Sequence, residues 1–166
     1  MKKKNIRLII NTIIFIILLI FYVCYDPKEV INNVTFSACV DGDTAKLITS
    51  KGIETVRFLA IDTPETVHPT KPIEPYGKEA SEYTCNSLKS AKEIKIELDP
   101  NSDEYDKYDR LLAWIFVDEK LLQEELINLG YGKVAYLYGD YKYTLRLQKD
   151  EAIAKSKNIG IWYNNK

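Results

Sequence analysis

Two short acidic motifs stand where apolar runs give way to turns: Asp41-Gly42-Asp43-Thr44 and Asp62-Thr63-Pro64-Glu65. Asp-Gly is ordinary hairpin chemistry, and Asp-Thr-Pro is an ordinary way to start a loop. Taken together they suggest more. Aspartates that converge with no Lys or Arg between them repel unless a hard cation joins them, and calcium takes six to eight oxygens from carboxylates, carbonyls and water. Asp43, Asp62 and a backbone carbonyl near Thr63 would supply part of such a shell. Glu65 then stands close by as a second kind of carboxylate.

Arg57 lies inside an otherwise apolar run and Arg110 opens another, just after Asp106-Lys107-Tyr108-Asp109. A guanidinium in such a place needs an anionic partner, either one of the chain's own acids or a phosphate gripped through two oxygens. One difficulty concerns direction. In an unbroken strand Arg57 and Asp62, five residues apart, face opposite sides, so a bulge, strong coiling or a strand that ends early must bring them together.

The elements that would position these residues are short. β-Rich runs cover Val34 to Val40, Thr44 to Thr49 and Thr55 to Ile61, which reads as a meander. Residues 62–77 hold four prolines and form a surface loop. A helix from Lys78 to about Ser90 puts Ala80, Tyr83, Thr84, Leu88 and Ala91 on one side, and Glu93 to Asp99 alternates like a half-buried strand. After a polar loop, residues 100–109, come a strand from Leu111 to Val117, a helix near Leu121 to Leu129 stopped by Gly130, and a last helix over Thr144 to Lys157. Mainly β with helices (α+β) is therefore the class expected, with five strands and a helix after the third, the order of a small Greek-key barrel of the OB type.

The amino terminus is a separate matter. Lys2, Lys3, Lys4 and Arg7 precede an apolar run over residues 8–25, eighteen residues broken only by Asn11 and Thr12. At helical rise that run spans roughly 27 Å, close to the hydrocarbon thickness of a bilayer. It reads as a signal anchor that leaves the rest of the chain outside the cell, with a cleaved signal peptide as the rival. Residues 26–33 look like a linker and 34–166 like one domain. Removing the four basic residues leaves 19 basic against 24 acidic, a formal charge of −5 for residues 26–166. That argues against broad attraction to a polyanion, so any nucleic-acid binding must be local and helped by a metal ion. Cys39 and Cys85 read as two free thiols, since two cysteines do not declare a disulfide without geometry.

The ordered set of motifs resembles the staphylococcal nuclease (thermonuclease) family. It comprises Val40-Asp41-Gly42-Asp43-Thr44, the run from Arg57 to Thr66, His68-Pro69, Tyr76-Gly77-x-Glu79-Ala80, Asp106-Lys107-Tyr108-x-Arg110, Val134-Ala135-Tyr136-x-Tyr138 and Ile159-Gly160-Ile161-Trp162. The resemblance implies an OB-type barrel with three helices and a calcium-dependent phosphodiesterase for DNA and RNA that breaks the 5′ P–O bond and leaves 3′-phosphate ends. It implies Asp43 and Asp62 as calcium ligands through side chains and Thr63 through its carbonyl. Glu65 would be the general base, Arg57 and Arg110 the phosphate-gripping catalytic cations, and Lys71, Lys107, Tyr108, Tyr136 and Tyr138 substrate contacts. No obligate protein partner is implied. His68, the one histidine, is read as shaping its loop or touching a phosphate rather than serving as base. Asp109 stands where the family usually has Gly, and Thr70 where it often has Lys. The competing readings are a tethered noncatalytic OB module and a surface calcium-binding or adhesion protein.

Overall fold

The computed structural model describes residues 10–17, 19, 30–66 and 74–163. Residues 10–17 and 19 are helical and exposed. Much of the expected anchor, residues 8–25, lies outside the described residues, as do His68, Thr70 and Lys71. Among the described residues no helix is long and apolar enough to cross a membrane.

Alternation of apolar and polar residues builds the sheet. β1 (Val30–Cys39), β2 (Thr44–Thr49) and β3 (Gly52–Phe58) form the expected antiparallel meander. In β2 the inward residues Ala45 and Leu47 are buried while Lys46 and Ile48 point out, the period-two signature of a strand with one wet face. β4 is Ile61–Asp62, β5 Ile94–Glu97, β6 Leu111–Val117, β7 Lys120–Leu121 and β8 Lys133–Val134. β1 pairs antiparallel with β5, β5 with β6, and β6 returns to β3 in parallel, so β1, β2, β3, β6 and β5 close a five-stranded barrel. Closure removes the free edges that an open sheet would expose. The result is a mixed α+β fold. Val34, Leu47, Val56, Phe58, Ile94, Ile96, Leu111 and Ile115 belong to its core.

Three helices pack on this barrel: α1 (Gly77–Ser90), α2 (Leu122–Asn128) and α3 (Thr144–Ser156). α1 buries Ala80, Thr84 and Leu88, spaced as one helical stripe. α2 ends at Gly130, whose φ is 65°. The Gly130 N–H donates to the Ile127 carbonyl and the Tyr131 N–H to the Leu126 carbonyl, a Schellman stop that favours glycine. Gln123, fully buried on α2, accepts from the Ile115 N–H and donates to the Ala113 carbonyl, bridging the helix to β6.

Three expectations change. β1 begins at Val30, so residues 30–33 pair with β5 through a register shift near Asn33 rather than serving as linker. β3 ends at Phe58, not Ile61, because Leu59 and Ala60 turn and Ala60 takes a φ of 61°. Cys39 and Cys85 are joined in a disulfide with Cα atoms 5.5 Å apart. The end of β1 and the middle of α1 lie side by side, a proximity across 46 residues that spacing alone could not reveal. In the chain-entropy picture a loop of that length contributes about 4 kcal/mol.

Candidate active site

The turn between β1 and β2 is held from three directions. Asp41 Oδ1 accepts the Asp43 N–H at 3.0 Å, Thr84 Oγ1 on α1 donates to the Gly42 carbonyl at 2.7 Å, and the disulfide ties Cys39 to the same helix. Gly42 permits this closeness: a Cβ there would stand 2.6 Å from Thr63 Oγ1 and 2.9 Å from Ala80 Cβ. Asp43 is thereby pressed against Thr63, whose N–H and hydroxyl donate to Asp43 Oδ2 at 2.9 and 3.3 Å. Thr44 Oγ1 donates to Asp43 Oδ1 at 3.0 Å.

The left-handed turn at Ala60 resolves the difficulty of direction. Asp62 lies beyond the end of β3, in β4, which pairs with β8 in a separate two-stranded sheet. Arg57 stays on the barrel and reaches both acids: its Nη2 lies 3.1 Å from Asp43 Oδ2 and 3.8 Å from Asp62 Oδ1, while Nη1 donates to the Phe58 carbonyl at 2.9 Å. The anionic partner that the buried arginine requires is thus internal, and it is the acidic pair itself. Contrary to the sequence expectation, a basic residue does stand between the two acids. Lys133, which sequence reasoning missed, adds a second cation 3.1 Å from Asp62 Oδ2. Hydrogen bonding to Asp62 raises the Lys133 ammonium above its usual range.

Asp43 feels its burial. Desolvation, opposed by Arg57 and reinforced by Asp41, lifts its carboxyl from 3.8 to about 6. An added cation would offset that cost. The donor set fits a hard ion, two carboxylates and backbone carbonyls with no sulfur or imidazole. Among the described residues no three or more His, Cys, Asp or Glu side chains gather as a metal cluster, and Asp43 and Asp62, both within reach of Arg57 Nη2, are the carboxylates that could hold an ion with water completing its shell.

The acids, Arg57, Thr63 and Glu65 line one wall of a cleft of ≈ 670 Å³, and Lys107, Tyr108, Arg110, Tyr136 and Tyr138 also line it. Glu65 sits where the loop is stitched to the approach to α1: its N–H donates to Glu74 Oε2 at 3.2 Å and its carbonyl accepts the Glu74 N–H at 3.0 Å. Arg110 also has an internal partner, with Nε and Nη2 2.7 and 2.6 Å from Asp106 Oδ2. Asp106 Oδ1 in turn accepts the N–H groups of Tyr108 and Arg110 at 2.9 and 3.0 Å, closing the turn that presents Lys107 and Tyr108. Burial pulls the Asp106 carboxyl up, but the Arg110 side chain and these N–H groups outweigh it and hold it below the usual range. Asp109 takes a φ of 61°, the conformation that glycine adopts freely.

Two residues apart, Tyr136 and Tyr138 would share a face if the chain there were extended. They do come together, with ring centroids 6.4 Å apart, but outside any strand, because Tyr136 has a φ of 56°. Tyr136 lies over Arg57 with its centroid 5.5 Å from Cζ, and Tyr138 is 85% exposed. Tyr108 receives Lys107 and Arg110 over its ring at 4.9 and 5.4 Å. The cleft thus joins fixed cations, acids and accessible aromatic faces, a set of groups suited to holding a phosphate beside a flat ring. Asp41 and Asp106, which the sequence offers only as turn residues, line it too, while Lys133 pairs with Asp62 from β8. The first two could have been suspected from their turn sequences, the third from nothing local.

Residues 55–164 match the family described as staphylococcal nuclease homologue. The chain is 43% identical over 139 residues to the SPbeta prophage-derived endonuclease YokF of Bacillus subtilis (strain 168), covering 83% of this chain and 46% of that protein. It is 43% identical over 131 residues to Endonuclease YncB of the same organism, covering 78% and 61%. With Thermonuclease of Staphylococcus hyicus it shares 33% identity over 125 residues, 75% of this chain and 72% of that protein. The chain therefore spans about half to three-fifths of the two Bacillus endonucleases and most of the thermonuclease. On the family match and these identities, the chain belongs to the staphylococcal nuclease homologue family.

Proposed function

We propose that the protein is a calcium-dependent nuclease that hydrolyses phosphodiester bonds of DNA and RNA at the 5′ P–O bond, leaving 3′-phosphate ends. The observation that carries this reading is Arg57 in contact with both Asp43 and Asp62 on the wall of a cleft that Glu65 and Arg110 also line. Names of the relatives, endonuclease and thermonuclease, support the same class of chemistry.

A phosphodiester repels the incoming nucleophile and has a poor leaving group, so the site must activate water and neutralise charge. Glu65 takes the proton from water. Arg57 and Arg110, braced by their internal acids, present their remaining donors to the non-bridging oxygens, and their fixed positions make this strongest in the five-coordinate transition state. Calcium held by Asp43, Asp62 and the Thr63 carbonyl would supply further positive charge at a non-bridging oxygen. Lys107 and Lys71 attract neighbouring phosphates, and Tyr108, Tyr136 and Tyr138 receive bases or sugars.

Work outside the cell suits the disulfide, which persists in oxidising surroundings, and the basic-then-apolar amino terminus, which would tether the enzyme to the membrane or direct its secretion. Mass analysis of the mature amino terminus distinguishes anchor from cleaved signal. For the activity, the chain is incubated with plasmid DNA and with RNA, in calcium or in chelator. Degradation to 3′-phosphate products only in calcium is expected. Tight binding without cleavage under every metal condition would replace this reading with the noncatalytic module.

A further inference from the structure

β8 is two residues long, yet its register sets Lys133 directly across from Asp62. Each oxygen of Asp62 then faces a side-chain cation, Lys133 Nζ at 3.1 Å from Oδ2 and Arg57 Nη2 at 3.8 Å from Oδ1. Arg57 serves Asp43 as well, so two acids are matched by two organic cations. This explains how the acids converge before any inorganic ion arrives. It also creates a competition. Calcium bonds oxygen at ~2.3–2.6 Å, and an ammonium already on the same carboxylate is a like-charged neighbour at close range.

The backbone that carries Lys133 cannot retreat. A Cβ on Gly132 would stand 3.2 Å from the Asp62 carbonyl and 3.3 Å from Thr63 Cγ2, so the two strands are in close contact. The Ala135 N–H donates to the Ala60 carbonyl at 3.0 Å, and the Val134 N–H to Glu151 Oε1 on α3 at 2.9 Å. What can move is the Lys133 side chain, which is 52% exposed and has a flexible four-carbon stem.

We propose that Lys133 is a built-in counter-cation of Asp62, which occupies that carboxylate before a divalent ion binds and competes with the ion for it. The inference rests on the cation-assisted reading of the site above. It assigns Lys133 a sign that a merely structural role would not have. Removing a structural brace loosens the ligands and weakens ion binding, whereas removing a competitor tightens it.

The test is calorimetric titration of calcium into the chelator-stripped full chain, without substrate. Lys133→Met, which keeps the aliphatic stem, is expected to bind calcium about 2- to 5-fold more tightly than the unsubstituted chain, in the range of one partly exposed ion pair. The gain should shrink as salt rises. Lys133→Arg keeps the competing charge and should show no gain. Lys95→Met, which removes a charge paired with Glu93 on the barrel, controls for net charge and should change little. Unchanged or weaker binding by Lys133→Met, with calcium still bound by the unsubstituted chain, overturns the inference and leaves the proposed function standing. Failure of the unsubstituted chain to bind calcium overturns both.

Discussion

Asp43 and Asp99 are acids of similar burial, 5% and 4% exposed, beside strands of the same barrel. Asp99 is enclosed by neutral donors: Trp114 Nε1 and the Lys142 N–H bond Oδ2 at 2.8 Å each, and the Asn101 N–H bonds Oδ1 at 2.9 Å. Next to it Glu97 takes the Lys142 ammonium and the Tyr143 hydroxyl at 2.8 and 3.0 Å. That region pins the loop after β5 to the approach to α3. Asp43 has threonine donors and Arg57, but it borders a cleft, and its burial remains costly enough to lift its carboxyl to about 6. The contrast separates two uses of a buried acid. One is satisfied by the fold for the sake of the fold; the other is held at a cost that a cation would relieve.

The contrast can be broken most forcefully on the chemical side. Glu65→Gln keeps the shape of the side chain but cannot accept a proton, and should lower turnover about 10²- to 10⁴-fold with the melting temperature unchanged. Full turnover in that variant, measured by loss of DNA, would remove Glu65 as base. On the structural side, Asp99→Ala leaves the buried Trp114 N–H and two backbone N–H groups without their acceptor. A stability loss of about 3 kcal/mol in denaturant unfolding is expected, with residual folded protein still cleaving DNA.

Much of the site was legible because residue type and position at a strand end carry chemical meaning. Asp43, Asp62, Thr63 and Glu65 stood out as acids and a carbonyl around turns, and Arg57 and Arg110 as guanidiniums beside apolar runs. The five barrel strands and three helices were legible from periodicity for the same local reason. What escaped depends on nonlocal geometry. Ala60 is not a residue that announces a left-handed turn, so the sequence carries β3 three residues past its end. Lys133 meets Asp62 through a two-residue ladder, too short for any pattern. Cys39 and Cys85 meet only because β1 and α1 pack together. Nor could residue type distinguish Asp43 from Asp99, since the difference lies in what faces each carboxylate.

Acidity sharpens the comparison further. The folded state holds the Asp43 proton more tightly than the unfolded chain, so the residue's contribution to stability in chelator falls as pH rises from about 4 through about 6 and is a constant cost above that. Asp43→Asn should remove this dependence, so the stability difference between variant and unsubstituted chain grows across that window and then levels off. Calcium affinity of the unsubstituted chain should fall below about pH 6, where a protonated Asp43 is a poor ligand. A smaller effect is expected at the turn bearing Tyr108: Asp109→Gly relieves the left-handed strain and should raise stability by up to about 1 kcal/mol, read as a shift in the unfolding midpoint.

The most direct measurement places Asp43→Asn and the unsubstituted chain side by side, recording calcium-dependent DNA cleavage and melting temperature at pH 7.5. If the acid is kept for a cation and its chemistry, cleavage falls by orders of magnitude while the melting temperature in chelator holds or rises. Undiminished cleavage with a lowered melting temperature would make Asp43 a second Asp99, and the account of the cleft would be wrong.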